Sequence, residues 1–294
     1  MPDTHEARPT PSEKQAERRR GIYLLPNLLT TCAIFAGYYA IVASINGRWV
    51  EACTAVFIAA FFDGIDGRVA RLTNSQSEFG VQYDSLSDLV SFGLAPSLIM
   101  YNWSLVHLKE WGPVFGKLGW LAAFLYAACA ALRLARFNVQ VGVADKRFFQ
   151  GLASPAAAAT IVSLIWAVEK WGGDGKAVRW LTPFVTASVA LLMVSNLRYY
   201  SFKAWPEKVP FIWAIAIVLV FVAIALHPPA ALLTIVWVYI ASGPIMTIHG
   251  MYSKAKKPAL QGLSEIKAST APEAVKAEPE AVRAAEHDPQ DQSR

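Results

Sequence analysis

The chain has 294 residues, 54% of them hydrophobic, and a formal net charge of +5. So apolar a sequence is not that of an ordinary soluble domain and predicts an all-α, polytopic transmembrane helical bundle. Nucleic-acid binding is not indicated, because the basic residues flank apolar segments and form no single stripe. Cys32, Cys53 and Cys129 lie inside apolar runs without C-x-x-C spacing, which argues against a disulfide framework or a zinc site.

In chain order, residues 1–20 form a polar N-terminal segment ending in the basic cluster Arg18, Arg19 and Arg20. No signal peptide is evident, and the first apolar segment reads as a retained span. Spans close to the roughly 20 residues a bilayer requires are expected at 23–45, 50–71, 80–102, 118–138, 150–168, 178–197, 209–227 and 229–250. This gives about eight transmembrane helices in a domain covering 21–250. Pro26 and Asn27 open two readings, a helix-start signal or an amide directed at a ligand. Residues 251–294 lose the apolar runs and read as a disordered tail. Arg68, Arg71, Arg133, Arg136, Arg198 and the basic residues of both terminal segments fall on one side. The other side carries only Arg48, Lys109, Lys117, Lys170, Lys176 and Arg179. By the positive-inside rule, the first side and both termini are cytoplasmic.

The segment from Asp63 to Asp88 places four carboxylates in two otherwise membrane-like stretches. Acids there are costly and mark interiors, wet cavities and functional sites. At about 100° per residue, Asp63, Asp66, Gly67, Ala70 and Arg71 share an arc of roughly 140° on one helix. Gly80, Asp84 and Asp88 share roughly 80° on the next, since positions four apart stack. The polar connection 73–78 is expected to fold the second helix back beside the first, so that all four acids converge. Like charges gathered there repel one another unless cations neutralise them, and an oxygen-only donor set selects Mg²⁺ or Mn²⁺. Gly64 and Gly67 keep the helix backbone open to a ligand, and Arg71 suits phosphate oxygens.

Asp63-x-x-Asp66-Gly67-x-x-Ala70-Arg71, eight residues, then Gly80-x-x-x-Asp84-x-x-x-Asp88 resembles the signature of the CDP-alcohol phosphatidyltransferases at every position. SFGLAP (91–96), RLARFN (133–138), FFQGLASPAAAA (148–159) and LMVSNLRYYSFK (192–203) are similar to its integral-membrane phosphatidylserine synthase branch. Ala153 stands where that branch often has proline. The resemblance implies a six-helix core plus two helices, a homodimer in the cell (inner) membrane, and transfer of a phosphatidyl group from CDP-diacylglycerol to L-serine with release of CMP. It implies two metal ions on Asp63, Asp66, Asp84 and Asp88, with Asp84 and Asp88 catalytic and Asp88 as ligand or general base. Asn27, Asp63, Gly67, Ala70, Arg71 and Gly80 would hold CDP-diacylglycerol. For the serine carboxylate the expected residues are Arg133 and Arg136, with Ser87, Ser91 and Ser154 alongside; headgroup snorkelling is the bland alternative for both arginines.

Glycerol 3-phosphate or inositol phosphate is the rival acceptor within the same chemistry. From another class, intramembrane acids can line a cation transporter, although these acids sit near one surface and not along a pathway. A catalytically dead scaffold is disfavoured because no signature residue is missing.

Overall fold

The computed structural model describes residues 11–140, 148–200 and 211–247. The expected tail, 251–294, lies outside them, as do residues 1–10. Helix α1 runs Pro11–Ile45 and α2 Trp49–Leu72. Next come α3 (Glu78–Asp88), a π-helical turn (Leu89–Leu94), α4 (Ala95–Trp103) and a 3₁₀ segment (Leu105–Trp111). After these follow α5 (Pro113–Gln140), α6 (Ser154–Lys170), α7 (Thr182–Val194), α8 (Phe211–Leu226) and α9 (Pro228–Thr247). Two three-residue strands, β1 (Phe148–Gln150) and β2 (Arg198–Tyr200), pair antiparallel with Phe149 opposite Tyr199.

Among the described residues, four segments are long and apolar enough to cross a membrane: Leu24–Ile45, Glu78–Trp111, Pro113–Val139 and Pro228–Thr247. On those grounds the expected count of about eight is not reached, for two physical reasons. Charge dilutes α2, which carries Glu51, Asp63, Asp66, Arg68 and Arg71. The helices α6, α7 and α8 are short, at 17, 13 and 16 residues. Helix α1 begins at Pro11, within the polar segment that precedes the first span. Pro26 and Asn27 therefore lie inside a helix, and the helix-start reading of that pair is wrong.

Small residues bring α1 and α2 together. Ala33, Ala36, Ala40 and Ala43 of α1 and Ala52, Ala55 and Ala59 of α2 are all buried, and residues of this size let backbones approach closely in a membrane. The turn after α2 is closed by Asn74 at φ 50°, a left-handed conformation that asparagine tolerates. Ser77 then caps α3 by accepting a hydrogen bond from the Gly80 amide at 3.0 Å. From there α3 and the π turn lie against α1. Ser87 and Ser91 donate to the α1 carbonyls of Thr30 (3.3 Å) and Ala33 (3.1 Å). Helix α1 packs against both neighbours more extensively than α2 and α3 pack against each other. The expected side-by-side hairpin is thus two walls on a shared support, and a cleft opens between them.

Gly37 makes the α1 contact with the π turn possible. A Cβ there would lie 2.6 Å from Ser91 Oγ and 2.9 Å from Ser91 Cα. Gly37→Ala is expected to destabilise the protein by about 1–3 kcal/mol, the usual cost of overpacking, seen as a lower thermal midpoint in detergent. An unchanged midpoint would mean that the π turn moves away from α1 without cost.

Candidate active site

The cleft between α2 and α3 has a volume of about 300 Å³ and is lined from α1 by Pro26, Asn27 and Thr30. Helix α2 contributes Asp66, Gly67, Ala70 and Arg71; the turn and α3 contribute Ser75, Gln76, Ser77, Gly80, Val81 and Asp84. The structure therefore gathers Asn27, Asp66, Gly67, Ala70, Arg71, Gly80 and Asp84 around one space. A Cβ placed on Gly67 meets nothing within 4 Å, so the helix backbone is bare towards the opening. Asn27 stands across from Gly80, its Oδ1 3.6 Å from where a Gly80 Cβ would be.

At one end of this space the carboxylates of Asp63, Asp66 and Asp84 each offer an oxygen, all within 4.8 Å of one another. The Asp88 carboxyl adjoins that of Asp63 and faces the charges of Asp84 and Arg133. Asp66 is buried, and its Oδ2 accepts a hydrogen bond from Thr30 Oγ1 at 2.8 Å. Asp84 Oδ1 and Asp88 Oδ1 are buried with no hydrogen-bond partner. Buried acceptors in native proteins are normally satisfied. Orphaned oxygens in a cluster with only oxygen donors fit a hard divalent cation of the Mg²⁺ or Mn²⁺ type.

Beyond Asp88, Arg133 of α5 donates from Nη1 to Ser154 Oγ at 2.6 Å, and its Nε is buried without a partner. Its charge faces Asp88 and the phenols of Tyr126 and Tyr239. Arg136, one turn on, instead holds the end of α7 by donating to Asn196 Oδ1 (2.8 Å) and Val194 O (3.4 Å). Ser87 and Ser91 each donate to a carbonyl of α1. Ser154 stays beside Arg133.

Thr30 carries no motif, and sequence reasoning did not mark it. The one available signal was its position three and four residues after Asn27 and Pro26, on the same face of α1. The π turn after Asp88 was also unmarked. Such turns widen a helix locally and are frequent at functional sites.

Fold and site together define a helical membrane protein with a cluster of acids at one end of a polar cleft between two helices. A family description, CDP-alcohol phosphatidyltransferase, matches residues 23–241, and the chain belongs to that family. It is 38% identical over 233 residues to a CDP-diacylglycerol–serine O-phosphatidyltransferase of Helicobacter pylori, covering 78% of this chain and 93% of that one. A protein of the same name from Mycobacterium tuberculosis is 34% identical over 230 residues, 76% and 77% of the two chains. An archaetidylserine synthase of Methanothermobacter thermautotrophicus is 35% identical over 177 residues, 60% of this chain and 69% of that one.

Proposed function

We propose that this protein transfers the phosphatidyl group of CDP-diacylglycerol to L-serine, giving phosphatidylserine and CMP. The observation that carries the reading is the set of carboxylate oxygens within 4.8 Å of one another at one end of the cleft. The names of the relatives reported above, CDP-diacylglycerol–serine O-phosphatidyltransferase and archaetidylserine synthase, favour serine as acceptor over glycerol 3-phosphate or inositol phosphate.

In this reading the nucleotide diphosphate enters between α2 and α3. Gly67 lets it approach the helix backbone, Arg71 pairs with phosphate oxygens, and Asn27, Ala70 and Gly80 complete the walls. Asp63, Asp66, Asp84 and Asp88 would hold two divalent cations, which supply charge neutralisation at the phosphorus and in-line geometry. Thr30 fixes the Asp66 carboxylate through its hydrogen bond. Asp88 takes the proton of the serine hydroxyl, whose oxygen attacks the phosphorus of the phosphatidyl group as CMP leaves. Arg133, facing Asp88, is placed for the serine carboxylate. The finer membrane picture belongs to the same proposal: about eight crossings of the inner membrane, a homodimer, and a cytoplasmic cleft and termini. Its support is the excess of Arg and Lys on that side.

The deciding experiment measures CMP release by purified protein with CDP-diacylglycerol and each acceptor in turn. Release with serine, and little with glycerol 3-phosphate or inositol phosphate, is expected. Release with a phosphate-bearing acceptor but not with serine would overturn the acceptor assignment and leave the phosphatidyl transfer standing.

A further inference from the structure

Three stretches without any acid, RLARFN, FFQGLASPAAAA and residues 192–200 of LMVSNLRYYSFK, meet around Arg133 and Arg136, and Arg133 faces Asp88. The backbone locks the last two to each other. Gly151 donates to Leu197 O at 2.9 Å and Leu152 to Leu192 O at 3.0 Å, and β1 pairs with β2. Gly151 has φ +81°, and a Cβ there would lie 2.3 Å from Met193 O, so only glycine permits this junction. Ser154 follows directly and accepts from Arg133. Tyr199, on the neighbouring strand, is 0% exposed, and its ring sits 5.5 Å from that of Tyr239. Tyr239 in turn faces the Arg133 charge. A chain of neighbours thus runs from Asp88 through Arg133 and Tyr239 to Tyr199.

Two polar groups of this chain of contacts are unsatisfied. Arg133 Nε and the Tyr199 hydroxyl are buried with no hydrogen-bond partner. Phenylalanine has the shape of tyrosine without the hydroxyl, so an unpaired buried phenol is a liability unless something it binds is absent. Nε–H can only donate, and the phenol donates readily, so both call for an acceptor. On the side of the acids the orphaned atoms, Asp84 Oδ1 and Asp88 Oδ1, are acceptors. With its hydroxyl at Asp88, serine carries both its ammonium and its carboxylate on the next carbon, and the carboxylate is the acceptor that the two unpaired donors require.

Resting on the serine reading above, we propose that Tyr199 is a specificity-determining residue that binds, together with Arg133, the carboxylate of the acceptor amino acid. The test is steady-state CMP release by wild type and Tyr199→Phe, each with serine and with serinol, which keeps the hydroxyl and ammonium and lacks the carboxylate. Losing a hydrogen bond to a charged group should raise the serine KM roughly tenfold or more. The CDP-diacylglycerol KM and the serinol KM should be unchanged by the substitution, and the thermal midpoint without substrate unchanged or higher. An unaltered serine KM overturns the proposal, as does an equal rise for serine and serinol. Should the variant fail to fold, wild type alone decides: serinol used as well as serine means the carboxylate is not recognised. Wild type releasing no CMP with serine overturns this proposal and the functional reading together; wild type active with serine, and a variant equally so, overturns this proposal alone.

Discussion

Chelating divalent cations from the purified protein is expected to lower CMP release more than a hundredfold, and Mn²⁺ or Mg²⁺ to restore it. Two carboxylate charges at the 4.8 Å limit of this cluster repel by roughly 3–4 kcal/mol at an effective dielectric of about 20. Among the described residues, three such acids, with Asp88 adjoining, have no lysine or arginine as a hydrogen-bond partner, and Thr30 offers one neutral donor. A cation that binds the folded state alone should also raise the thermal midpoint, by an amount that grows with the logarithm of its concentration over its Kd. Both effects should disappear together in Asp66→Asn, which removes the ligand whose orientation Thr30 fixes. Full activity in a metal-stripped sample would overturn the metal role, and a midpoint insensitive to Mn²⁺ would place the ions elsewhere.

The acids were legible because their spacing is a property of a single helix. Asp63 and Asp66 share a face whatever packs on it, as do Gly80, Asp84 and Asp88, and only the angle between two helices remained to be supplied. Helix α1 was not legible as the third wall. Its contribution is a threonine, a residue common in apolar helices, and nothing local says that Thr30 reaches an aspartate 36 positions away. Asn27 was open to two readings, a helix start and an amide directed at a ligand; it lies well inside α1 and lines the cleft.

The serines divide between two surroundings, Ser154 beside Arg133 and the other two against α1. A hydroxyl in an apolar segment suggests a ligand, yet Ser87 and Ser91 satisfy themselves on carbonyls of the next helix. Composition cannot distinguish these outcomes, because the hydroxyl needs only one acceptor and any nearby backbone supplies it. Arg133 and Arg136 are neighbours on α5 by sequence spacing, but one faces Asp88 and the other caps α7. What separates them is the position of α7, fixed by contacts far away in sequence.

Asp88→Asn is expected to cut kcat by about 10²–10⁴-fold, the usual worth of a positioned general base, with little change in the CDP-diacylglycerol KM. The substitution keeps the size of the side chain, and Asp88 does not line the cleft that would receive the nucleotide. Stability should hold as well. Asp88 Oδ1 has no hydrogen-bond partner to lose, and the carboxyl stands against Asp63 and within the field of Asp84. Removing its charge relieves repulsion there, which offsets the attraction lost with Arg133. A metal titration separates the two roles open to this residue. If Asp88 acts only as a ligand, excess Mn²⁺ should return much of the lost kcat, as it should for Asp63→Asn. If it takes the proton, no concentration of Mn²⁺ restores turnover, because an amide cannot accept that proton at any occupancy of the site. A variant that keeps more than about a tenth of the wild-type kcat lies below the range for such a group, and the base would then have to be sought elsewhere.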